Sequence, residues 1–197
     1  MHYLKRKKKV ITLLRTNYIS IVMNVIKRLY QVIDGAFATI PRFYYSLKTR
    51  LRVKSCGVDL KVNHKSDFTR NVVIGDHCNF NGMKIRGFGE VKFGDYFHSG
   101  SGCLIMLGSH DYDHGEAIPY GNGHLMKTVE IDDFVWFGSN VTVCGNIHIG
   151  EGAIIAIGSV VVKDVPPLAI VGGNPAKIIK YRDSEHFYHL KELKKFN

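Results

Sequence analysis

The side chains best suited to acid–base chemistry in this 197-residue chain are its ten histidines. An imidazole titrates near working pH, so a positioned one can take a proton and return it. Three histidines, His110, His114 and His124, fall in one polar stretch, GSHDYDHGEAIPYGNGHLMKT, residues 108–128. His110 stands near its start and is the leading candidate for a general base. His114 is the next. Their spacing of four could suggest a metal pair, but that needs a regular helix to put both on one face. A stretch with this much Gly and Pro does not supply one, and no metal is expected. His98 and His148 are weaker candidates, and His148 reads as a wall residue. Cys56, Cys78, Cys103 and Cys144 form no C-x-x-C pair. They read as small buried apolar residues in a reducing, cytoplasmic setting.

The elements that must hold these groups are legible from a repeat. Ile131, Phe137, Val143, Ile149, Ile155 and Val161 follow at a strict interval of six. Two residues before each later member stand Val135, Val141, Ile147, Ala153 and Ser159, all small or β-branched. A period of six is neither a helix nor an ordinary strand. It fits a coil with flat sides of about six residues, each a short parallel strand, stacked so that like positions form apolar ladders. The large residue fills the prism, and the smaller one sits near the corner. Upstream the register loosens. Ile74-Gly75-Asp76 and Phe93-Gly94-Asp95 repeat the unit, with Ile85, Val91, Ile105 and Val129 as further interior candidates. Residues 108–128 break the track and are predicted to project from the wall as a functional loop.

Charge separates a second region. Residues 1–54 carry thirteen Lys/Arg against Asp34 alone, whereas residues 55–197 carry fourteen against sixteen acids. Apolar residues at Ile11, Leu14, Tyr18, Ile21, Val22, Val25, Leu29 and Ile33 follow a helical period, and Phe43, Tyr44, Leu47 and Leu51 mark a second short helix over 42–53. A basic amphipathic arm suits an anionic membrane surface or a protein partner, so residues 1–40 are expected to give peripheral association at the inner face of the membrane. No apolar run is long enough to span one. Nucleic acid is not expected, because the basic charge is not interleaved with aromatics on the body. The predicted organisation is an arm over 1–55, a prism over 56–182 with its loop at 108–128, and a helical tail over 183–197.

The segments V-W-F-G-S (135–139), K-D-V-P-P (163–167) and G-N-P-A-K (173–177), in that order, resemble the hexapeptide-repeat acyltransferase family. CNFN (78–81) and GSH (108–110) resemble its sugar O-acetyltransferase branch. The resemblance implies an all-β fold, a left-handed parallel β-helix, here with N-terminal amphipathic helices and a short C-terminal helix. It also implies a homotrimer with sites between subunits, acetyl-CoA as donor, and a sugar or surface-glycan hydroxyl as acceptor. It assigns the catalytic base to His110 and an oxyanion-binding amide to Ser139. Asn79, Trp136 and His114 are placed at the acceptor. Gly138, Ala156, Ser159, Lys163, Lys177 and Lys180 are placed along CoA, although the family often has arginine at the last two. The acidic acceptor contact of the branch is replaced here by Arg86-Gly87, which favours a different, larger glycan. N-acylation of an amino sugar and a non-catalytic β-helix binding module remain open alternatives.

Overall fold

Each member of the hexad track points inward. In the computed structural model, which describes residues 39–197, Ile131, Phe137, Val143, Ile149, Ile155 and Val161 are buried, as are Val135, Val141, Ile147, Ala153 and Ser159. The strands they occupy stack as three walls of a parallel β-helix. The first wall runs Ser55–Cys56, Val72–Ile74, Val91–Phe93, Val129–Ile131 and Ile147–Ile149. The second runs Lys61–His64, Asn79–Asn81, His98–Ser101, Trp136–Phe137, Ile154–Ile155 and Ala169–Gly172, and is closed by the antiparallel strand Lys177–Tyr181. The third runs Lys84–Arg86, Leu104–Met106, Thr142–Cys144 and Val160–Val161. Every ladder position repeats, so Ile85, Ile105, Val143 and Val161 lie one above another.

The loose upstream register has a physical cause. Trp136 pairs with Ile154, eighteen residues on, but Asn79 pairs with His98, nineteen on, and Lys84 with Leu104, twenty on. The extra residues break the strict hexad, and the filling changes with them. The lower prism is packed with Phe68, Phe80, Phe93, Phe97 and Phe137 in edge-on or tilted contacts with centroids 4.7–5.2 Å apart; of these the repeat points only to Phe93 and Phe137. Cys78 and Cys103 are buried as expected, but Cys56 and Cys144 are only half-buried; all four are free thiols. Burial pushes the Cys78 thiol up to about 12 and raises that of Cys103, so both are inert as nucleophiles.

The Gly-Asp units have a clear reason. Asp76, Asp95 and Asp133 each use a carboxylate oxygen to accept a backbone N–H from the coil below, at 2.7 Å, from Val58, Asp76 and Asp95 respectively. The glycine of the coil below, Gly57, Gly75 or Gly94, leaves room for that carboxylate. A Cβ on Gly94 would lie 2.6 Å from the Asp133 nitrogen. Two residues past this position, which is glycine in four coils and Asp132 in one, the chain turns with positive φ, at Asp59 (49°), His77 (57°), Tyr96 (56°), Phe134 (60°) and Gly152 (67°). The other wall-to-wall corner uses Gly82, Gly102, Asn140 and Gly158 for the same conformation. Bulky residues rarely adopt it. Here three consecutive rings compensate by stacking, His77 on Tyr96 at 4.7 Å and Tyr96 on Phe134 at 5.2 Å.

Helices flank the prism. From Pro41 onward the described residues form one compact unit, Pro41–Asn197. Residues 39–50 are helical. Thr49 is buried, and the Ser46 hydroxyl accepts the Val62 amide at 2.9 Å. Phe43, Tyr44, Leu47 and Leu51 are exposed, so the apolar face read from the sequence is turned away from the prism. The amphipathic stretch 10–33 lies outside the described residues. The second helix, Ser184–Glu192, is capped by the Asp183 carboxylate accepting the His186 amide and packs through Phe187. Among the described residues no helix is long and apolar enough to cross a membrane.

Candidate active site

The interruption at 108–128 is an ordered arm. Gly108–His110 pairs antiparallel with His124–Met126, and His110 stands opposite His124. The His110 ring stacks on Tyr120 with centroids 3.8 Å apart and lies 4.8 Å from His124. Its Nδ1 is buried and has no hydrogen-bond partner among the described residues. That leaves Nε2 as the ring nitrogen free to meet a substrate. His110 borders a hollow of about 370 Å³ shared with Phe88, Met106, Leu125 and Met126. His114 differs: its side chain is 86% exposed and lies 3.6 Å from the Asp111 carboxylate. The geometry therefore gives His110 a fixed, partly desolvated setting and leaves His114 in solvent. His148 is on the wall, with Nε2 3.0 Å from an Asp132 carboxylate oxygen.

The other predicted residues gather on the second wall and its far corner. Asn79, His98, Trp136 and Ile154 occupy one register column. The Asn79 Oδ1 accepts from Asn63 Nδ2 at 2.8 Å, so its amide NH2 remains available to donate. Trp136 is 54% exposed, a flat apolar face on the prism surface. The His98 imidazole between them is held below the ordinary histidine range, by burial first and by the Lys61 charge second. It is therefore neutral near pH 7.

Ser139 follows the Trp136 strand at the corner. Its hydroxyl accepts from the Ser101 amide at 3.3 Å, while its own amide N–H meets no acceptor among the described residues. A free, fixed N–H is what an oxyanion needs. Gly138 has a packing reason: a Cβ there would lie 2.7 Å from the Ile157 nitrogen of the next coil. Ser159 is corrected. Its hydroxyl is fully buried and donates to the Ala156 carbonyl at 2.6 Å, because the small track faces the prism. Its side chain therefore does not line a cofactor groove. Ala156 is half-buried, and its amide is taken by the Val171 carbonyl. Lys163, Lys177 and Lys180 are exposed, the last two on the closing strand, and none has a carboxylate partner among the described residues. Among the described residues no cluster of His, Cys, Asp or Glu could hold a metal.

Within one chain, His110 lies on the arm that leaves the third wall, and Ser139, Trp136 and Asn79 lie on the second wall or its far corner. The sequence did not reveal a deeper cleft beside Trp136. It holds about 570 Å³ between the second wall and the tail, lined by Tyr96, His98, Phe134, Arg182, Lys195 and Phe196 among others.

A hexapeptide-repeat-containing acetyltransferase of Vibrio cholerae has this architecture. It matches with a TM-score of 0.63 at 28% identity, over 74% of this chain and 84% of that one. The same protein complexed with acetyl-CoA matches over 66% and 67%, with a TM-score of 0.53 and 28% identity. The chain resembles the hexapeptide-repeat acetyltransferases in fold and in sequence. A galactoside acetyltransferase in complex with coenzyme A shares the fold, with a TM-score of 0.58 at 24% identity over 70% of each chain. A curated relative, a chloramphenicol acetyltransferase of Escherichia coli, is 39% identical over 112 residues, which are 49% of this chain and 53% of that protein. The match spans about half the length of the chloramphenicol acetyltransferases and about three tenths of the other curated relatives. No family model matches the chain. Its walls are built from the repeat, and His110 stands on a segment that interrupts it.

Proposed function

We propose that this protein is an O-acetyltransferase that moves an acetyl group from acetyl-CoA to a hydroxyl of a sugar or surface glycan. The setting of His110 carries the reading: a single stacked imidazole with one ring nitrogen buried and the other free, on an arm that interrupts an otherwise regular prism. Its Nε2 takes the hydroxyl proton as the oxygen attacks the thioester carbonyl carbon. The negative charge that forms on the carbonyl oxygen is met by the Ser139 amide. The C–S bond then breaks, and the leaving sulfur takes the proton back from the imidazolium. A base in place is worth about a hundred- to ten-thousand-fold in rate, and a fixed oxyanion donor about a hundred- to thousand-fold.

The separation of His110 from Ser139 within one chain supports a homotrimer in which one copy's arm serves a neighbour's corner. The arm is built for such contact, since Tyr112, Ile118 and Met126 on it are exposed apolar side chains. CoA would then lie along the coil edge by Ala156, with Lys163, Lys177 and Lys180 toward its phosphates. Ile40, Phe43, Tyr44, Leu47 and Leu51 are also exposed, beside Arg42, Lys48 and Arg50. With the basic residues before them they favour peripheral binding to an anionic membrane, and deleting residues 1–40 should weaken binding to phosphatidylserine vesicles.

The deciding experiment incubates the protein with acetyl-CoA and a panel of sugars and glycans, following free thiol and the hydroxylamine lability of the product. Acceptor-dependent thiol release with a hydroxylamine-labile ester is expected. Thiol release that never exceeds the rate of simple hydrolysis would sink the reading, and a hydroxylamine-stable product would make it an N-acyltransferase.

A further inference from the structure

The cleft under the C-terminal helix has walls that the acyl-transfer chemistry does not use. One wall is the corner ladder, where Tyr96 and Phe134 both lie against Phe196 of the tail, with centroids 4.8 and 5.0 Å apart. The floor is Trp136 with His98 beside it. The roof is the helix Ser184–Glu192 and the residues after it. Three cations line this space. Lys191 is neutralised by Glu151 and lies 5.5 Å from the centre of the Phe134 ring. Arg182 donates one N–H to the Gly152 carbonyl at 2.9 Å and stands over the Phe187 ring at 4.7 Å. Neither Arg182 nor Lys195 has a carboxylate partner among the described residues. Among the described residues no acidic side chain lines the cleft.

We propose that this cleft binds an anionic sugar, its ring flat on Trp136 and its phosphate or carboxylate between Arg182 and Lys195. Aromatic faces suit the apolar face of a pyranose ring as they suit other flat apolar surfaces. Two unpaired cations at the rim of a partly desolvated space select a negative group, and the remaining guanidinium donors can bind it at two points. A neutral imidazole at His98 adds a hydrogen-bonding group without adding charge. The cleft is roomy enough for one sugar residue with its charged substituent, being within the usual range of small-ligand sites. The proposal rests on the acyltransferase reading only for the use of the ligand as acceptor, not for its binding.

Trp136 is the only tryptophan in the chain, so its fluorescence reports this cleft directly. The test is a fluorescence titration of the full chain, without acetyl-CoA, with glucose 1-phosphate, glucuronate, glucose and chloramphenicol as probes. Glucose 1-phosphate or glucuronate should change the emission saturably, and whichever binds more tightly names the anionic group. Glucose should bind at least about tenfold more weakly, the worth of one charge-assisted hydrogen bond. Lys195→Glu should weaken the anionic probe by about tenfold or more at an unchanged melting temperature. Arg182→Lys should weaken it less than Arg182→Gln, and raised salt should weaken it throughout. Equal binding of glucose and glucose 1-phosphate would overturn the proposal, and so would tighter binding of chloramphenicol than of either anion. Unchanged affinity in a folded Lys195→Glu variant would do the same. If the anionic probes bind but no acetyl is transferred to any acceptor, the site stands and the acyltransferase reading falls. If a neutral glycan is acetylated with a KM that Lys195→Glu does not move, the reverse holds.

Discussion

The coils over 129–161 and the arm over 108–128 follow opposite rules. In the coils each side chain has a place set by its neighbours one coil away, and replacing it disturbs a ladder. In the arm most residues face solvent, Gly115 and Gly121 approach too closely for side chains, and the ordered contact is a two-stranded ribbon ending in a stack of rings. The prism supplies rigidity, and the arm holds His110, the proposed base, outside the packed ladders. Loops carried on a rigid scaffold are where binding and catalytic residues concentrate.

The sharpest break in this comparison comes from the prism. Phe137→Ala removes a fully buried ring that meets Phe97 edge-on at 5.0 Å. A loss of about 3–5 kcal/mol is expected, visible as a large fall in melting temperature, with CoA binding and turnover lost together. His110→Ala should do the opposite. Transfer should drop by two to four orders of magnitude, roughly the worth of a positioned base, with melting temperature and CoA affinity unmoved. His114→Ala, in solvent, should cost much less. If His110→Ala instead lowered the melting temperature as far as Phe137→Ala, the arm would have to be counted as part of the core.

The smallest effect expected is a pH dependence. Burial holds the His98 imidazole below its unfolded value, so between those two values the unfolded chain binds more protons than the folded one. Stability then rises with pH across that window, and the contribution is lost as pH falls below the ordinary histidine range. Thermal melts taken from pH 8 downward should show the decline, and His98→Gln should flatten it. A decline unchanged in His98→Gln would assign it to other groups.

The prism was legible because its rule is short-range and repeated. Ile131 through Val161 announce themselves, and Ile74, Ile85, Val91, Phe93, Ile105 and Val129 follow once the unit is known. Phe80 and Phe97 were not legible as filling, because coils of nineteen and twenty residues shift them off the six-residue count. Ser159 misled for a related reason. A hydroxyl on the small track looks like a surface group, yet inside the corner it is satisfied by a carbonyl three residues back. The sequence singles out His110 because it stands where the repeat stops, and the structure places it on the arm that the break predicts. The cleft joining Tyr96, Trp136, Arg182 and Phe196 was not, since those residues are brought together by coil stacking and a returning tail. Nor were the left-handed aromatic corners, where the usual expectation is glycine or asparagine.

Val91 and Val129 pair in adjacent rungs as though the residues between them were an ordinary coil. The arm is thus a detour that begins and ends at nearly the same point, and residues 112–120 along it are all exposed. Exposed loop tips are where proteases cut first. A nick there would part the chain into two pieces still woven together by the rungs above and below. Such a molecule would run as intact on a sizing column and as two bands on a denaturing gel, with its melting curve barely altered. His110, the proposed base, would sit near a frayed end, so the working lifetime of this protein in a protease-rich setting would be governed by nine solvent-facing residues rather than by the stability of its prism.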